Sequence, residues 1–155
     1  MALKSLTPDE VRLFLDRAWP SLLGVVGTLD ADGGPHLAPV WYRYDGERIY
    51  IWTIETRRWV KNLARDTRVA FSVQEDQPPY AAVSLSGRAA ITTSDGKEVA
   101  QEIRRITRRY VDEPHVEQYI HQWAHLQTIV SITPEKVRGW VDNDEPVSTI
   151  SSGAP

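Results

Sequence analysis

Two turn signals in the N-terminal third of the chain limit its fold more than any other feature. The segment Asp30-Ala31-Asp32-Gly33-Gly34-Pro35 separates two apolar runs, and Asp45-Gly46 follows the second of them. Gly, Asp and Pro favour tight turns because they tolerate or preset the backbone angles that a chain reversal needs. Residues 22–29, 36–44 and 48–54 are therefore predicted to be three strands joined by short turns, an antiparallel meander.

Helical patterns flank and follow this meander. Thr7-Pro8-Asp9-Glu10 combines an N-cap, a proline at the first helical position and a capping box, which predicts a helix at the N-terminus. Further helices are predicted at residues 57–65, 94–110 and 115–125. Thr56 is the expected cap of the first of these, and Ser94 or Asp95 that of the second.

Three more strand patterns bring the predicted strands to six. They cover residues 68–74, 80–92 and 127–132, with a bulge or bend at Gly87, and a turn with a short strand follows at 134–140. The predicted fold class is mainly β (α+β), in which six antiparallel strands close into a small barrel with flanking helices. A length of 155 residues suits one domain spanning 1–155, and 142–155 are expected to form a mobile tail because they contain little to bury.

Composition argues against several classes of partner. The formal net charge of −3 gives no general attraction to nucleic acid or anionic lipid. No apolar run approaches the ~20 residues of a membrane span, and the first residues lack a signal-peptide pattern. The absence of cysteine is compatible with a cytoplasmic protein and removes thiolate chemistry.

Four segments match one known family in order and spacing. They are Gly24-Val25-Val26-Gly27-Thr28 leading to Asp32-Gly33-Gly34-Pro35-His36, Pro39-Val40-Trp41-Tyr42, Trp52-Thr53 leading through Arg57-Arg58 and Lys61-Asn62-Leu63 to Asp66-Thr67-Arg68-Val69, and Pro78-Pro79-Tyr80 before Val83-Ser84-Leu85-Ser86-Gly87-Arg88-Ala89. Together they resemble the flavin-binding split β-barrel family of pyridoxamine-phosphate-oxidase-like proteins, including its deazaflavin-dependent (coenzyme F420) branch.

The resemblance implies a homodimer of split barrels with a flavin-type cofactor, FMN or alternatively F420, in each dimer groove. The cofactor ring would lie along the second strand, at Leu37, Ala38, Pro39, Val40, Trp41 and Tyr42. The ribityl and phosphate end would match Trp52, Thr53, Arg57 and Arg58, with Lys61 and Asn62 in the same motif. The family's second basic residue, usually Lys, is replaced by Trp59.

The basic residues allow a reading that is independent of the family. Arg57, Arg58 and Lys61 crowd the start of a helix, where the helix dipole and free N–H groups already favour an anion. Arginine forks suit phosphate oxygens, and the hydroxyl groups of Thr53 and Thr56 could add hydrogen bonds. A solvated basic helix face is the alternative.

The expected activity is oxidation or reduction of a small molecule, with the cofactor supplying the chemistry. Trp41, Trp52 and Trp140 are candidates for excluding water, and Tyr42 and Tyr80 for facing the cleft, but no catalytic residue is assigned. The alternatives are a non-catalytic carrier of a cofactor or small molecule, including a haem-type ligand, and a barrel with a structural role.

Other clusters have simpler interpretations. His115, His121 and His125 lack an accompanying carboxylate motif, so no metal site is predicted. The arginines at 104, 105, 108 and 109 are expected to form ion pairs on a solvated helix face, with Glu98, Glu102 and Asp112 near enough to take part. Neither a hydrolase nucleophile elbow nor a dinucleotide glycine motif is present.

Overall fold

The computed structural model describes residues 2–17 and 21–142. In this part of the chain eight strands form one antiparallel sheet: β1 (Leu3–Ser5), β2 (Gly24–Leu29), β3 (Pro35–Val40), β4 (Arg43–Tyr44), β5 (Ile49–Thr53), β6 (Arg68–Glu75), β7 (Ala81–Thr93) and β8 (Thr128–Asp142). The helices are α1 (Pro8–Leu15), α2 (Arg58–Arg65), α3 (Lys97–Thr107) and α4 (Val116–Gln122), with a 3-10 turn at Glu113–His115.

The strand order is β3-β2-β6-β7-β8-β5-β4, and β1 pairs with the far end of β8. The long strands β7 and β8 pair along their whole length and carry the sheet from one half of the barrel to the other. Their pairing shifts register between Ser86 and Gly87. A Cβ at Gly87 would lie 2.0 Å from the carbonyl oxygen of Thr133, so only glycine permits this close approach.

The core follows from the period-two pattern of the strands, whose inward residues are buried while their neighbours are more exposed. Helix α2 packs Trp59, Val60 and Leu63 against the sheet, where they join the strand residues in one cluster. A second cluster forms where α3 packs Val99, Ile103 and Ile106 against Ile129 of β8.

The antiparallel sheet, the capped first helix and the bulge at Gly87 confirm the sequence predictions. The strand count of six was too low, because β1 is short and exposed and because the predicted strand at 36–44 divides into β3 and β4 around Trp41 and Tyr42. The predicted three-stranded meander is wrong for the same reason: β3 pairs with β2 and β4 pairs with β5, at opposite edges of the sheet. The predicted turn at 134–140 is also wrong. β8 continues through Pro134 to Asp142 because β7 pairs with it throughout.

The predicted helix caps need correction as well. Arg57, not Thr56, occupies the N-cap position of α2, and no side chain caps that helix. Helix α3 begins later than predicted, after Gly96, and the Ser94 hydroxyl accepts a hydrogen bond from the Gly96 N–H at 2.9 Å. The predicted tail lies outside the described residues, except Asp142, which ends β8.

No helix within residues 2–17 and 21–142 is both long and apolar enough to cross a bilayer.

Candidate functional site

An open groove of about 570 Å³ runs along β3. Its floor is β3 itself, from His36 to the adjoining Trp41. One end is formed by Trp52 and Thr53 of β5 with the start of α2, and the other wall by the α4 segment. Chain segments from both halves of the sequence therefore meet at one surface.

Strand β3 is an edge strand, which gives the groove a polar floor. Among the described residues it pairs only with β2, in register from Pro35 opposite Leu29 to Val40 opposite Gly24. The other edge of β3 is left with backbone N–H and C=O groups that can bind a ligand. Pro39 contributes no N–H to this edge.

Stacked aromatic side chains form the wall of the groove. The Trp41 ring lies 4.8 Å from Tyr110 at an interplanar angle of 7°, and 5.1 Å from Tyr119 at 30°. Tyr119 meets Trp52 edge-on at 6.3 Å. The indole N–H of Trp52 donates to the Leu126 carbonyl at 2.7 Å, which fixes the ring between β5 and the segment after α4.

Tyr110, which stacks on Trp41, is itself fixed by hydrogen bonds of its hydroxyl group. Its hydroxyl donates to the Leu22 carbonyl at 2.8 Å and accepts from the Tyr42 N–H at 3.2 Å. Burial raises the pKa of the Tyr110 hydroxyl, so it remains a neutral donor at physiological pH. Tyr110 thereby ties the end of α3 to the β3–β4 connection that carries Trp41.

The basic end of the groove contains one free and one paired arginine. The exposed Arg57 side chain makes no hydrogen bond or ion pair within the described residues. Arg58 forms a two-pronged pair with Asp30, Nε to Oδ1 at 2.9 Å and Nη2 to Oδ2 at 2.5 Å. Hydrogen bonds from Arg58 and then Asn62 lower the pKa of Asp30 to about 2, and the same carboxylate raises the pKa of Arg58.

Most of the predicted site residues line the groove: Pro39, Val40, Trp41, Trp52, Thr53, Arg57 and Arg58. Lys61 and Asn62 instead line an adjacent pocket that also includes Asp30, Thr56 and Arg65. Arg58 borders both spaces. Asn62 is buried and donates from Nδ2 to Thr28 Oγ1 at 3.1 Å and to Asp30 Oδ1 at 2.9 Å, so it supports Asp30 and does not face the groove.

The remaining aromatic candidates lie elsewhere. Tyr42 is fully buried, and its hydroxyl donates to the Leu15 carbonyl at 2.7 Å. Tyr80 and Trp140 are not among the groove residues, and Trp140 pairs with Ala82 in the sheet. Trp59 is 5% exposed and belongs to the core cluster while also bordering the groove. The residue at the family's lysine position therefore packs in the core.

Tyr110, Tyr119, Trp123 and Leu126 were missed by the sequence reasoning. They lie in the C-terminal half, outside the matched segments, and no spacing rule links them to β3. The high Trp and Tyr content, six of each, was a signal for the three aromatic residues, because aromatic side chains with a polar edge suit half-buried clefts. No feature of the sequence pointed to Leu126.

His115, His121 and His125 are exposed, and most arginines in and after α3 form ion pairs. No group of three or more His, Cys, Asp or Glu side chains could hold a metal ion within the described part of the chain. Arg104 pairs with Glu117, Arg108 with Glu113 and Arg105 with Glu102. These three ion pairs match the expected solvated face, with Glu102 the one suggested acidic partner that takes part in them. For Arg109 the expectation is wrong: its side chain is only 11% exposed, lies 4.9 Å from the centre of the buried Tyr42 ring and donates to the Leu15 carbonyl.

The fold resembles solved structures over most of the chain. A conserved hypothetical protein from Mycobacterium tuberculosis is 28% identical, with 89% of this chain and 86% of that chain covered and a TM-score of 0.70. A FAD-binding protein from Mesorhizobium loti is 17% identical, with coverages of 91% and 99% and a TM-score of 0.69. A structure described as an F420 reductase is 21% identical, with coverages of 80% and 92% and a TM-score of 0.60.

No curated protein matches the sequence. The family model for pyridoxamine 5′-phosphate oxidase, in contrast, matches residues 7–141, nearly the whole chain that the structure describes. The extent of this match confirms the resemblance found in the four sequence segments and agrees with the observed antiparallel sheet and flanking helices. The protein belongs to the pyridoxamine 5′-phosphate oxidase-like family of split β-barrel proteins.

Proposed function

We propose that this protein is an oxidoreductase that uses a flavin-type cofactor, FMN or the deazaflavin F420, to oxidise or reduce a small molecule. The observation that carries the proposal is the meeting of three features in one groove. These are the free edge of β3, the aromatic wall around Trp41 and the unpaired guanidinium of Arg57. The names of two structural relatives, a FAD-binding protein and an F420 reductase, agree with this chemistry.

The groove fits a flavin-type molecule in size and in polarity. Its volume of about 570 Å³ falls within the ~300–1,000 Å³ of typical ligand sites. A flavin ring has apolar faces and polar edges, so it suits a site that combines aromatic side chains with an unpaired strand edge. Pro39, Val40 and Trp41 would contact the ring, and Trp52 and Thr53 the ribityl region.

The phosphate would bind at the start of α2. Arg57 is available without breaking a contact, whereas Arg58 would have to share or leave Asp30. Lys61 borders the adjacent pocket and would reach an anionic group extending beyond Arg58. Asn62 would act indirectly, by orienting Asp30, and the buried Tyr42 would support Trp41 from the core.

The bound cofactor would supply hydride transfer. The chain's own contribution would be to orient the ring on β3, to bind the phosphate and to limit water with Trp41 and Trp52. These side chains are already fixed by Tyr110 and by the Leu126 carbonyl. Such preorganisation costs no rearrangement at the moment of reaction.

A homodimer would complete the groove. Leu23, Val25 and Leu37 are exposed by 53%, 36% and 69%, and Leu37 borders the groove. Apolar side chains of this kind on β2, β3 and the residues before β2 suit contact with a second copy. We assign the protein to the cytoplasm, in agreement with its lack of cysteine.

The second candidate is a non-catalytic carrier of a cofactor or small molecule, with a haem-type ligand as one possibility. The observation in its favour is the lining, which is predominantly apolar and aromatic and includes His36 at one end of β3. A planar ligand could be held there without further chemistry.

Titration with FMN and F420, followed by Trp fluorescence quenching and the absorption spectrum, tests the proposal. Saturable binding by one of them is expected, and Arg57→Ala should weaken it at least about tenfold. Arg48→Ala, which removes an exposed arginine that does not line the groove, is the matched control. If a cofactor binds but no acceptor oxidises its reduced form, the carrier is favoured. If neither cofactor binds at concentrations well above ~10 μM, both flavin-based functions are contradicted.

A further inference from the structure

A second cavity adjoins the groove at Trp52 and Leu126. It has a volume of about 150 Å³ and opens between α3 and the α4 segment. Val99, Ala100 and Ile103 line it from α3, and Ile120 and Ala124 from the facing segment. Trp52 and Leu126 border this cavity and the groove alike.

Two small side chains explain why this space is open. Ala100 and Ala124 lie on facing segments, so a larger apolar residue at either position would extend into the cavity. The spacing of the two segments is held independently by Arg104 and Glu117, whose side chains pair at 2.7 Å and 3.1 Å across the rim. The cavity is thus a preformed feature of the α3–α4 packing.

The lining selects an apolar occupant. Val99 and Ile103 are each 7% exposed, and most of the lining is apolar. The polar lining residues are Ser94, Asp95, Arg104 and Gln127. A water molecule needs two to four polar partners, and an apolar cavity of about 150 Å³ is large enough for benzene. Displacing poorly bound water by an apolar ring is favourable.

We propose that the cavity between α3 and α4 is a binding site for a small molecule with a single apolar ring, separate from the groove. The occupant contacts Val99, Ile103 and Trp52, which line the cavity. Trp52, which also meets Tyr119 edge-on in the groove wall, borders both sites. This site does not depend on which cofactor occupies the groove.

The test uses fluorobenzene as the probe and ¹⁹F NMR as the readout with the full chain. We expect saturable binding with a dissociation constant of about 1 mM or below, and nuclear Overhauser effects from the probe to the methyl groups of Val99 and Ile103. Ala100→Leu and Ala124→Leu should each weaken binding at least about tenfold, because the added atoms occupy the ring's space. Ala64→Leu, at an exposed position of α2, should leave it unchanged.

Three results would overturn the proposal: no saturable binding to the wild-type chain, equal binding by all three leucine variants, or competitive displacement by FMN, which would locate the probe in the groove. Circular dichroism of each variant identifies a folding failure. If either Ala100→Leu or Ala124→Leu does not fold, the other variant and the nuclear Overhauser effects to Val99 and Ile103 in the wild-type chain still show whether the probe binds in the cavity.

Discussion

Arg58 and Asp30 join the first turn of α2 to the β2–β3 hairpin through a two-pronged ion pair, with distances of 2.9 Å and 2.5 Å. Asn62 donates to the same carboxylate at 2.9 Å. Asp30 is therefore an internal anion placed where an external phosphate is proposed to bind. Its charge affects both the affinity of the groove for anions and the response of this region to acid.

Replacing Asp30 with Asn should increase the affinity for FMN, or for F420 if that is the cofactor, by about three- to tenfold. The substitution releases Arg58 from its charged partner and removes a repulsive carboxylate, while the amide keeps the size of the side chain. Isothermal titration calorimetry measures the change, with Asp32→Asn on the same hairpin as the control. Weaker binding by Asp30→Asn would show that the pair serves to hold Arg58 in its binding position.

The carboxyl group of Asp30 should titrate near pH 2, well below its usual value of 3.8. A carboxylate with a lowered pKa in the folded state stabilises the fold above about pH 4, and this contribution is lost as pH falls from there toward 2. Carboxyl ¹³C NMR measures the midpoint directly. Arg58→Met should return it toward 3.8, and a midpoint unaffected by that change would assign the shift to Asn62.

Tyr110→Phe should reduce the free energy of unfolding by about 1–2 kcal/mol, because the Leu22 carbonyl and the Tyr42 N–H lose their hydrogen-bond partner. The stacking on Trp41 is retained, so the fluorescence of the folded protein should change little. Urea unfolding provides the measurement, and Tyr80→Phe, at a tyrosine 48% exposed, provides the control. Equal effects of the two substitutions would contradict a special role for the Tyr110 hydroxyl.

Trp59→Lys should destabilise the protein by about 3–5 kcal/mol, although it introduces the residue usual in the family. The Trp59 side chain is 5% exposed within the core cluster, so the substitution leaves a cavity and places a charge beside it. Thermal unfolding measures the loss, and Trp59→Phe should cost much less. A stable Trp59→Lys variant that binds FMN more tightly would show instead that the lysine reaches the groove.

Gly87→Ala should cost about 2–4 kcal/mol, because the new methyl group would lie 2.0 Å from the Thr133 carbonyl oxygen. Separating β7 from β8 at this point would disturb the pairing that spans both halves of the sheet. The neighbouring Ser86→Ala, on the exposed face of β7, should change stability by less than about 0.5 kcal/mol. Chemical denaturation of both variants compares the two directly.

Local signals explain the parts of the fold that were predicted correctly. The capping box at Thr7 and Glu10 and the turn at Gly33 with its φ of 84° each depend on residues close together in sequence. The irregularity at Gly87 was predicted from the glycine alone, although it depends on the close approach of Thr133 on β8. The order of the groove residues along β3, β5 and α2 was also accessible, because family motifs cover that stretch. The two short turns likewise predicted the β2–β3 and β4–β5 hairpins, but not that β3 and β4 lie at opposite edges of the sheet.

The sequence by itself determined the strand pattern, the glycine positions and the residues that could meet a phosphate. Only the tertiary structure decided which side chains are available to a ligand. Arg58 is paired with Asp30, and Tyr42 and Trp59 are buried in the core. Tyr110 and Tyr119, from the other half of the chain, stack on Trp41 and complete the wall. The physical reason is that turns and caps depend on neighbours a few residues apart. The Asp30–Arg58 ion pair and the stacking of Trp41 on Tyr119 join residues 28 and 78 positions apart, which local sequence patterns do not encode.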